Sequence, residues 1–335
     1  MGLAARLAFW PGSLAVRARL CGTVQVKLTE VAAAVLLRED GCFLLGQRAA
    51  NTFYAGYWEF PGGKVEEGES PRAALERELR EELAIEVLEA TPWLVREHVY
   101  EHAHVRLYFF RVTQWRGEVR DHVHAALAWQ KPGATSVSPM LPANAPVLAA
   151  LALPNFYGIT HAWQIGVAAQ LAGLKRALAG GLRLVQLRER ALDEAVRRDF
   201  VAQAVALCHR QGARVLVNGD DQLARASNAD GLHLTAAQLM TLASRPDFPL
   251  VAASCHTREE LWHAARLGLD FAVLGPVAAT VSHPGQAGLG WPCFAELIGG
   301  LPLPVYAIGG LGRLDIPAAQ AAGGQGVAAI RAAWA

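Results

Sequence analysis

Two hydrophobic rhythms divide the chain near Pro154. Before it, short apolar runs surround one charged segment of helical period. The runs VAAAVLL (31–37) and CFLLGQR (42–48), separated by Glu39-Asp40-Gly41, predict a hairpin. From Pro71 to Leu83, the residues Ala74, Leu75, Leu79 and Leu83 recur at helical spacing, behind Ser70 as N-cap and Pro71 at the first helical position. Strands return at HVRLYFFRV (104–112) and LAW (127–129), and a Pro/Ala/Ser-rich stretch from Lys131 to Pro146 leads into a short helix ending near Leu153. This is an α+β pattern.

After Pro154, apolar strands alternate with helical segments. The predicted strands are Tyr157 to Thr160, Leu182 to Arg188, Arg214 to Asn218, Gly231 to Leu234, Leu250 to Ser254, Phe271 to Gly275, Val305 to Ile308 and Gly326 to Ile330. Eight such repeats predict a closed parallel α/β barrel, (β/α)8 of TIM type, on fewer than the usual roughly 250 residues, with an open doubly wound sheet as the alternative. The expected division is an extension at 1–26, an α+β domain at 27–153 and the barrel at 154–335.

Composition narrows the classes. With 335 residues, 53% of them apolar, the chain is long enough for two cores and too apolar to be disordered. Its 31 basic and 30 acidic side chains exclude the sequence-wide basic field of a nucleic-acid binder. No apolar run approaches the roughly 18 to 20 residues of a membrane span, so no membrane partner is expected. Five cysteines without a CxxC pair fit a reducing, cytoplasmic setting better than a disulfide framework. Residues 1–24 place Arg6, Arg17 and Arg19 among Ala, Leu and Val, but Pro11-Gly12 interrupts the apolar stretch, so a disordered extension is expected rather than a targeting segment. Nothing in the pattern specifies an oligomeric state.

Ten glutamates lie between Glu59 and Glu89, opposed only by Lys64, Arg72, Arg77 and Arg80. On a helix Glu78, Glu81 and Glu82 fall at i, i+3 and i+4 and share one face. Like charges so placed suit a hard divalent cation, Mg2+ or Mn2+; a solvated acidic face is the plainer alternative. The full string GGKVEEGESPRAALERELREELAI (62–85) resembles the Nudix hydrolase signature, departing from it at Ala84, where that family has Gly. The resemblance implies that Glu78, Glu81 and Glu82 hold the metal with the carbonyl of Gly62, that Arg77 orients a glutamate, and that a small nucleotide is cut at its pyrophosphate.

WEFPGGK (58–64), QRAA (47–50) and LPANAPVLAAL (141–151) are similar to the MutT-type 8-oxo-dGTP diphosphatases, which act in DNA repair and replication fidelity. That likeness implies that Asn144 reads the base, Phe60 packs against it and Arg48 contacts the nucleotide, with Glu59, Pro61 and Gly62 in the same wall; a turn or helix cap at Asn144 and a core position for Phe60 are the plainer alternatives. The chain departs from that branch at Phe53, where the family has a histidine, and at Val123, where it has an acidic residue; Asp121, Glu118 and Glu101 are candidate replacements. His98, His102, His104, His122 and His124 crowd this region, and solvated or core-edge roles are expected of them.

In the second half LVQLRER (184–190), VNGD (217–220), ADGLHL (229–234), SCHT (254–257), VLGPV (273–277) and YAIGG (306–310) resemble the thiamine-phosphate synthase and thiazole tautomerase family. The motifs fall at the carboxyl ends of predicted strands, where barrel enzymes build their sites. Gln186, Arg188, Asn218, His233, Ser254 and His256 are therefore pocket candidates, and Gly309 and Gly310 offer backbone amides to the phosphate of a small ligand. Relative to the synthase, two carboxylates are replaced by Gly219 (followed by Asp220) and Gln238, and a lysine by His283; His256 matches the histidine of the tautomerase type. The resemblance leaves three roles open for the barrel: synthase, tautomerase, or a ligand-binding regulator of the hydrolase half; in the first two the whole chain would be a thiamine-pathway enzyme, its Nudix half acting on a pyrimidine pyrophosphate and its barrel on a thiazole phosphate.

Overall fold

Strand β1 (Leu28–Leu36) is buried on both faces, and this decides the layout of the first half. Ala32, Ala34 and Leu36 pack on one side with the helix, while Ala33 and Val35 pack on the other with Phe43, Leu45 and Phe109. The computed structural model describes residues 28–279 and 288–334. The extension at 1–26 and His283 lie outside the described residues.

A strand covered on both faces needs backbone hydrogen-bond partners along both edges. β1 pairs antiparallel with β4 (Gly62–Lys64) and parallel with β6 (His104–Arg116), which pairs in turn with β5 (Glu86–Val99). β2 (Phe43–Gln47) lies in a second sheet between β3 (Trp58–Glu59) and β7 (Ala126–Gln130). The hairpin expected of 31–37 and 42–48 therefore does not form. Its two runs part into different sheets joined by a single bridge, Leu37 to Phe43. β5 left no clean alternation in the sequence, because Pro92 and several charges interrupt it and the ladder shifts register between Val87 and Glu89 and between Pro92 and Leu94.

Helix α1 (Pro71–Leu83) forms where the periodicity places it. Ser70 Oγ accepts the Ala73 N–H at 3.2 Å, and Ala74, Leu75, Leu79 and Leu83 are all fully buried. The acidic side chains are left facing away from that core. A 3-10 turn (Pro142–Asn144) and α2 (Ala145–Leu151) close the first half.

The second half is a closed parallel barrel of eight strands, so the open sheet is excluded. In order they are β8 (Phe156–Ile159), β9 (Leu184–Leu187), β10 (Arg214–Asn218), β11 (Gly231–Leu234), β12 (Leu250–Cys255), β13 (Phe271–Leu274), β14 (Val305–Ile308) and β15 (Gly326–Ala329), with β15 pairing back to β8. Inside, the rings of Tyr157, Phe271 and Tyr306 pack with centroids 5.2 to 5.8 Å apart. Outside, the strands bury Leu, Val and Ala against the helices. Among the described residues no helix is long and apolar enough to cross a membrane.

A buried cation joins the halves. Arg111 on β6 donates to Gly324 O and Gln325 Oε1, both at 2.7 Å, and lies 4.1 Å above the Trp93 ring. Gln325 donates to the carbonyls of Ala150 and Leu153, and Val95 N–H reaches Leu301 O at 3.0 Å. Burial pulls the Arg111 guanidinium down to about 9, the cost of holding a cation on carbonyls and a ring without a carboxylate.

Helix α1 ends with Ala84 in the left-handed region at φ 56°, exposed. Ala84→Gly should stabilise the protein by about 0.5 to 1 kcal/mol, since it relieves that conformation and removes no buried contact. Thermal and urea unfolding measure this, and a lower melting temperature would contradict it.

Candidate functional site

Arg77 organises the acidic face of α1. Its Nε and Nη2 donate to both oxygens of Glu69 at 3.1 and 3.0 Å, Nη1 donates to Glu78 Oε1 at 2.8 Å, and Nη2 also reaches Lys64 O at 3.0 Å. Glu81 stands 3.7 Å away. These carboxylates hold the guanidinium above its ordinary pKa, the Glu69 bond first. Glu78 lies flat on Gly63, where a Cβ would stand 2.2 Å from its carboxyl carbon. Glu82 Oε2 accepts the Gly62 N–H at 3.1 Å, so the amide of Gly62 also engages the cluster.

The Glu82 carboxyl is pushed up to about 7, chiefly by burial, with repulsion from Glu78, Glu59 and Asp121 added to it. An excess of carboxylate over cation is the donor set that a hard divalent ion satisfies. Glu78 and Glu82 are held from behind, whereas Glu81 is 61% exposed. Among the described residues no three His, Cys, Asp or Glu side chains already surround one point, so α1 presents a face of donors rather than a formed cage.

Beside this face runs a wall built on β3. Arg48 Nη1 donates to both oxygens of Glu59 at 2.7 and 2.6 Å, and its Nε donates to Phe53 O. Burial raises the Glu59 carboxyl against the pull of Arg48. Asn144 is buried, its Nδ2 donating to Trp58 O at 3.3 Å. Phe60, expected against the base, is instead a core residue: it is 5% exposed and packs on Phe43 and Phe109. Pro61 ties the loop to β1 through its carbonyl, which accepts the Ala34 N–H.

The sequence places Phe53 and the histidines in this region but does not show that they stack on one another. Phe53 stacks on His102 with centroids 4.3 Å apart, and Tyr54 and His98 pack on Tyr100 at 5.4 and 4.4 Å. His98, half-buried, and His102, exposed, are thus members of an aromatic cluster at the surface, in keeping with the solvated or core-edge roles expected of them. Of the proposed replacements for Val123, Asp121 is the one whose charge reaches Glu82; Glu118 pairs with Arg120 in solvent. His124 is buried behind Glu82.

At the carboxyl end of the barrel strands a cavity of about 720 Å3 opens, lined by Gln186, Arg188, His233, Ser254, His256, Gly309 and Gly310. Asn218 is not brought to it; it borders a separate small crevice beside Glu189 and Arg197. His161, Trp163, Arg190 and Arg331 also line the cavity, and the strand-end rule misses them because they lie beyond the strand ends, Trp163 in a short helix (Ala162–Ile165) and Arg331 in a 3-10 turn (Arg331–Ala333). His233 bridges Tyr157 Oη and Ser254 Oγ at 3.1 and 3.0 Å. Burial first, then Arg188 and Arg190, push its pKa down to about 3, so the ring is neutral at pH 7. Gln186 Nε2 and His161 Nδ1 are buried without a hydrogen-bond partner, two polar atoms available to a polar ligand. At Gly309 (φ 116°) a Cβ would meet Pro276 at 2.6 Å, so the backbone itself forms the wall there.

The thiamine monophosphate synthase family matches residues 156–333. The chain belongs to this family. A NUDIX domain matches residues 27–151. A putative thiamine-phosphate synthase of Geobacter sulfurreducens is 36% identical over 185 residues, covering 53% of this chain and 85% of that protein. The CTP pyrophosphohydrolase of Escherichia coli is 43% identical over 131 residues, 37% of this chain and 92% of that protein. The 8-oxo-dGTP diphosphatase of Proteus vulgaris is 38% identical over 95 residues, 28% of this chain and 85% of that protein.

Among the described residues, no carboxylate lines the cavity of this thiamine monophosphate synthase barrel. Asp220, the neighbour of Gly219, is occupied: it accepts the Leu223 N–H at 2.9 Å and pairs with Arg197 at 2.8 Å. Gln238 caps the short helix Ala236–Thr241 and donates to Gly219 O at 2.8 Å. Glu189 accepts the N–H groups of Ala162 and Trp163. The described lining residues do not fit a divalent metal in this cavity; the charge they bring to it is that of Arg188, Arg190 and Arg331.

Proposed function

We propose that the Nudix half hydrolyses a nucleoside 5′-triphosphate to the monophosphate and pyrophosphate, with 8-oxo-dGTP as the preferred substrate. The observation that carries this reading is the pairing of Glu78 on Arg77 with Glu82 on the Gly62 amide, two half-buried carboxylates on one helix face with too little positive charge. Glu78, Glu81 and Glu82 would hold Mg2+, with Mn2+ as a substitute. Such an ion neutralises phosphate charge and lowers the pKa of its bound water. Arg77 keeps Glu78 and Glu69 from turning to solvent, and the Gly62 amide does the same for Glu82.

Asn144 supports the choice of base. With Nδ2 donating to Trp58 O, its Oδ1 has no hydrogen-bond partner among the described residues and remains an acceptor. Guanine presents an acceptor at N7, whereas oxidation at C8 turns that position into an N–H donor. An acceptor at Asn144 therefore favours 8-oxoguanine over guanine. Cytosine also presents a donor at N4, and the likeness to the CTP pyrophosphohydrolase makes CTP the second reading.

For the barrel we propose a pocket for a small phosphorylated ligand, held by the arginines and the amides of Gly309 and Gly310. Without carboxylates it lacks the means to hold metal on a departing pyrophosphate, which speaks against synthase chemistry. His256, whose Nδ1 lies 3.1 Å from Gly275 O, faces the same cavity and keeps a tautomerase role open to test.

Glu82→Gln or Glu78→Gln should lower Mg2+-dependent turnover by at least about a hundredfold while circular dichroism stays unchanged, because each removes an anionic ligand. Pyrophosphate release within threefold of wild type would discard the site. Asn144→Ala should cost about 1 to 3 kcal/mol of discrimination between 8-oxo-dGTP and dGTP. The kcat/KM ratios for 8-oxo-dGTP, dGTP and CTP measure this, and a CTP preference in wild type would select the second reading. Full-length Glu82→Gln, which spares pyrophosphate substrates, should bind a thiazole phosphate in calorimetry yet form no thiamine phosphate from it and the pyrimidine pyrophosphate. Synthesis abolished by Asp220→Ala would make the barrel a working synthase.

A further inference from the structure

The loop between β6 and β7 is laced onto the end of α1. Arg120 N–H donates to Leu83 O, His122 N–H to Glu82 O and Ala125 N–H to Gln47 O, at 2.8 to 3.0 Å. Asp121 Oδ1 accepts the N–H groups of both Val123 and His124, at 3.1 and 2.8 Å. This turn sends Val123 outward, 54% exposed, and His124 inward, its side chain 4% exposed. The position at which the sequence comparison expects a carboxylate therefore faces solvent, and the next residue takes the interior.

The imidazole of His124 fills a slot cut for it. A Cβ on Gly46 would lie 2.2 Å from His124 Cδ2 and 2.5 Å from Nε2, so the ring rests on the bare backbone of β2. Gly46 pairs with Glu59 on one side and Leu127 on the other, in ordinary strand conformation. Space for the ring, not backbone freedom, is what a glycine supplies there. From this slot Nδ1 lies 3.4 Å from Asp121 and has no hydrogen-bond partner, while Nε2 lies 3.9 Å from Glu82 Oε2.

Glu82 needs such a neighbour. Among the described residues its carboxylate has one hydrogen bond, from the Gly62 amide, and Glu78, Glu59 and Asp121 all repel it. A carboxylate in that position relaxes toward water unless something occupies the space behind it. We infer that His124 is a positioning residue that braces Glu82 from behind, Gly46 and Asp121 fixing the ring, so that Glu82 stays aimed at the donor face it shares with Glu78. The inference rests on the metal-dependent hydrolase reading above. It assigns to the interior of the loop the support that the exposed Val123 does not give.

The test uses the full chain and reads Mn2+ binding by the electron paramagnetic resonance of the free ion, beside kcat and KM for pyrophosphate release. His124→Ala removes the brace. Gly46→Ala leaves every charged and titratable group in place and displaces the ring with one methyl group. Loss of an outer partner of a metal ligand typically costs about 10 to 100-fold in affinity or activity. Both variants should therefore bind Mn2+ at least about tenfold more weakly and lose kcat in parallel, with nucleotide KM within about twofold of wild type. His124→Gln, which refills the slot, should recover most of the Mn2+ affinity. Mn2+ binding in His124→Ala equal to wild type, with Glu82→Gln inactive, would overturn this inference alone; wild type that binds no Mn2+ would overturn the hydrolase reading as well. Should His124→Ala fail to fold, Gly46→Ala decides by the same two measurements.

Discussion

One guanidinium makes the acidic face of α1 possible. Glu69, Glu78 and Glu81 approach within 4 Å of Arg77, and the first two are hydrogen-bonded to it. Without that central cation, carboxylates one helical turn apart repel, and each would turn separately to water. With it, Glu69 ties the loop before α1 to the helix, Glu78 is pressed on Gly63, and the loop 60–64 stays against β1. Glu82 is the member Arg77 does not reach. It sits in the least compensated environment, and the Gly62 amide, His124 and Asp121 gather around it.

The barrel site inverts this electrostatic pattern. Its cavity gathers arginines and a neutral histidine, and the carboxylates nearest to it are spent on helix caps and backbone amides. One chain thus carries a site short of positive charge and a site short of negative charge. Both suit phosphorylated molecules, the first through a cation it has yet to gain and the second through cations it already owns.

The junction keeps the two sites apart. Arg111, Trp93 and Gln325 meet where the chain enters β15, and the cavity is lined by residues that follow that strand's start, from Ala328 to Ala332. The first half docks against the amino ends of the barrel strands, and the ligand end of the barrel faces away from it. Burying an arginine without a carboxylate is tolerable here because two carbonyl oxygens and an indole face surround it.

The sequence by itself determined the elements whose own periodicity decides their burial. Helix α1, with its cap at Ser70 and its glutamates on one face, follows from apolar spacing alone, and so do the eight barrel strands, each a short apolar run that must be covered on both sides. Gln186, His233, Ser254 and His256 were legible as lining residues because strand ends in a closed barrel converge on one mouth. Asn218 obeys the same rule and still turns elsewhere. The separation of 31–37 from 42–48, the core position of Phe60 and the inward turn of His124 were decided only by the tertiary structure. In each case the deciding partner is distant in sequence: β6 competes for β1, Phe109 encloses Phe60, and a bare glycine at 46 makes room for an imidazole at 124. Local pattern reports which face of an element is apolar, whereas the direction of a loop side chain depends on which vacant volume the rest of the fold leaves beside it.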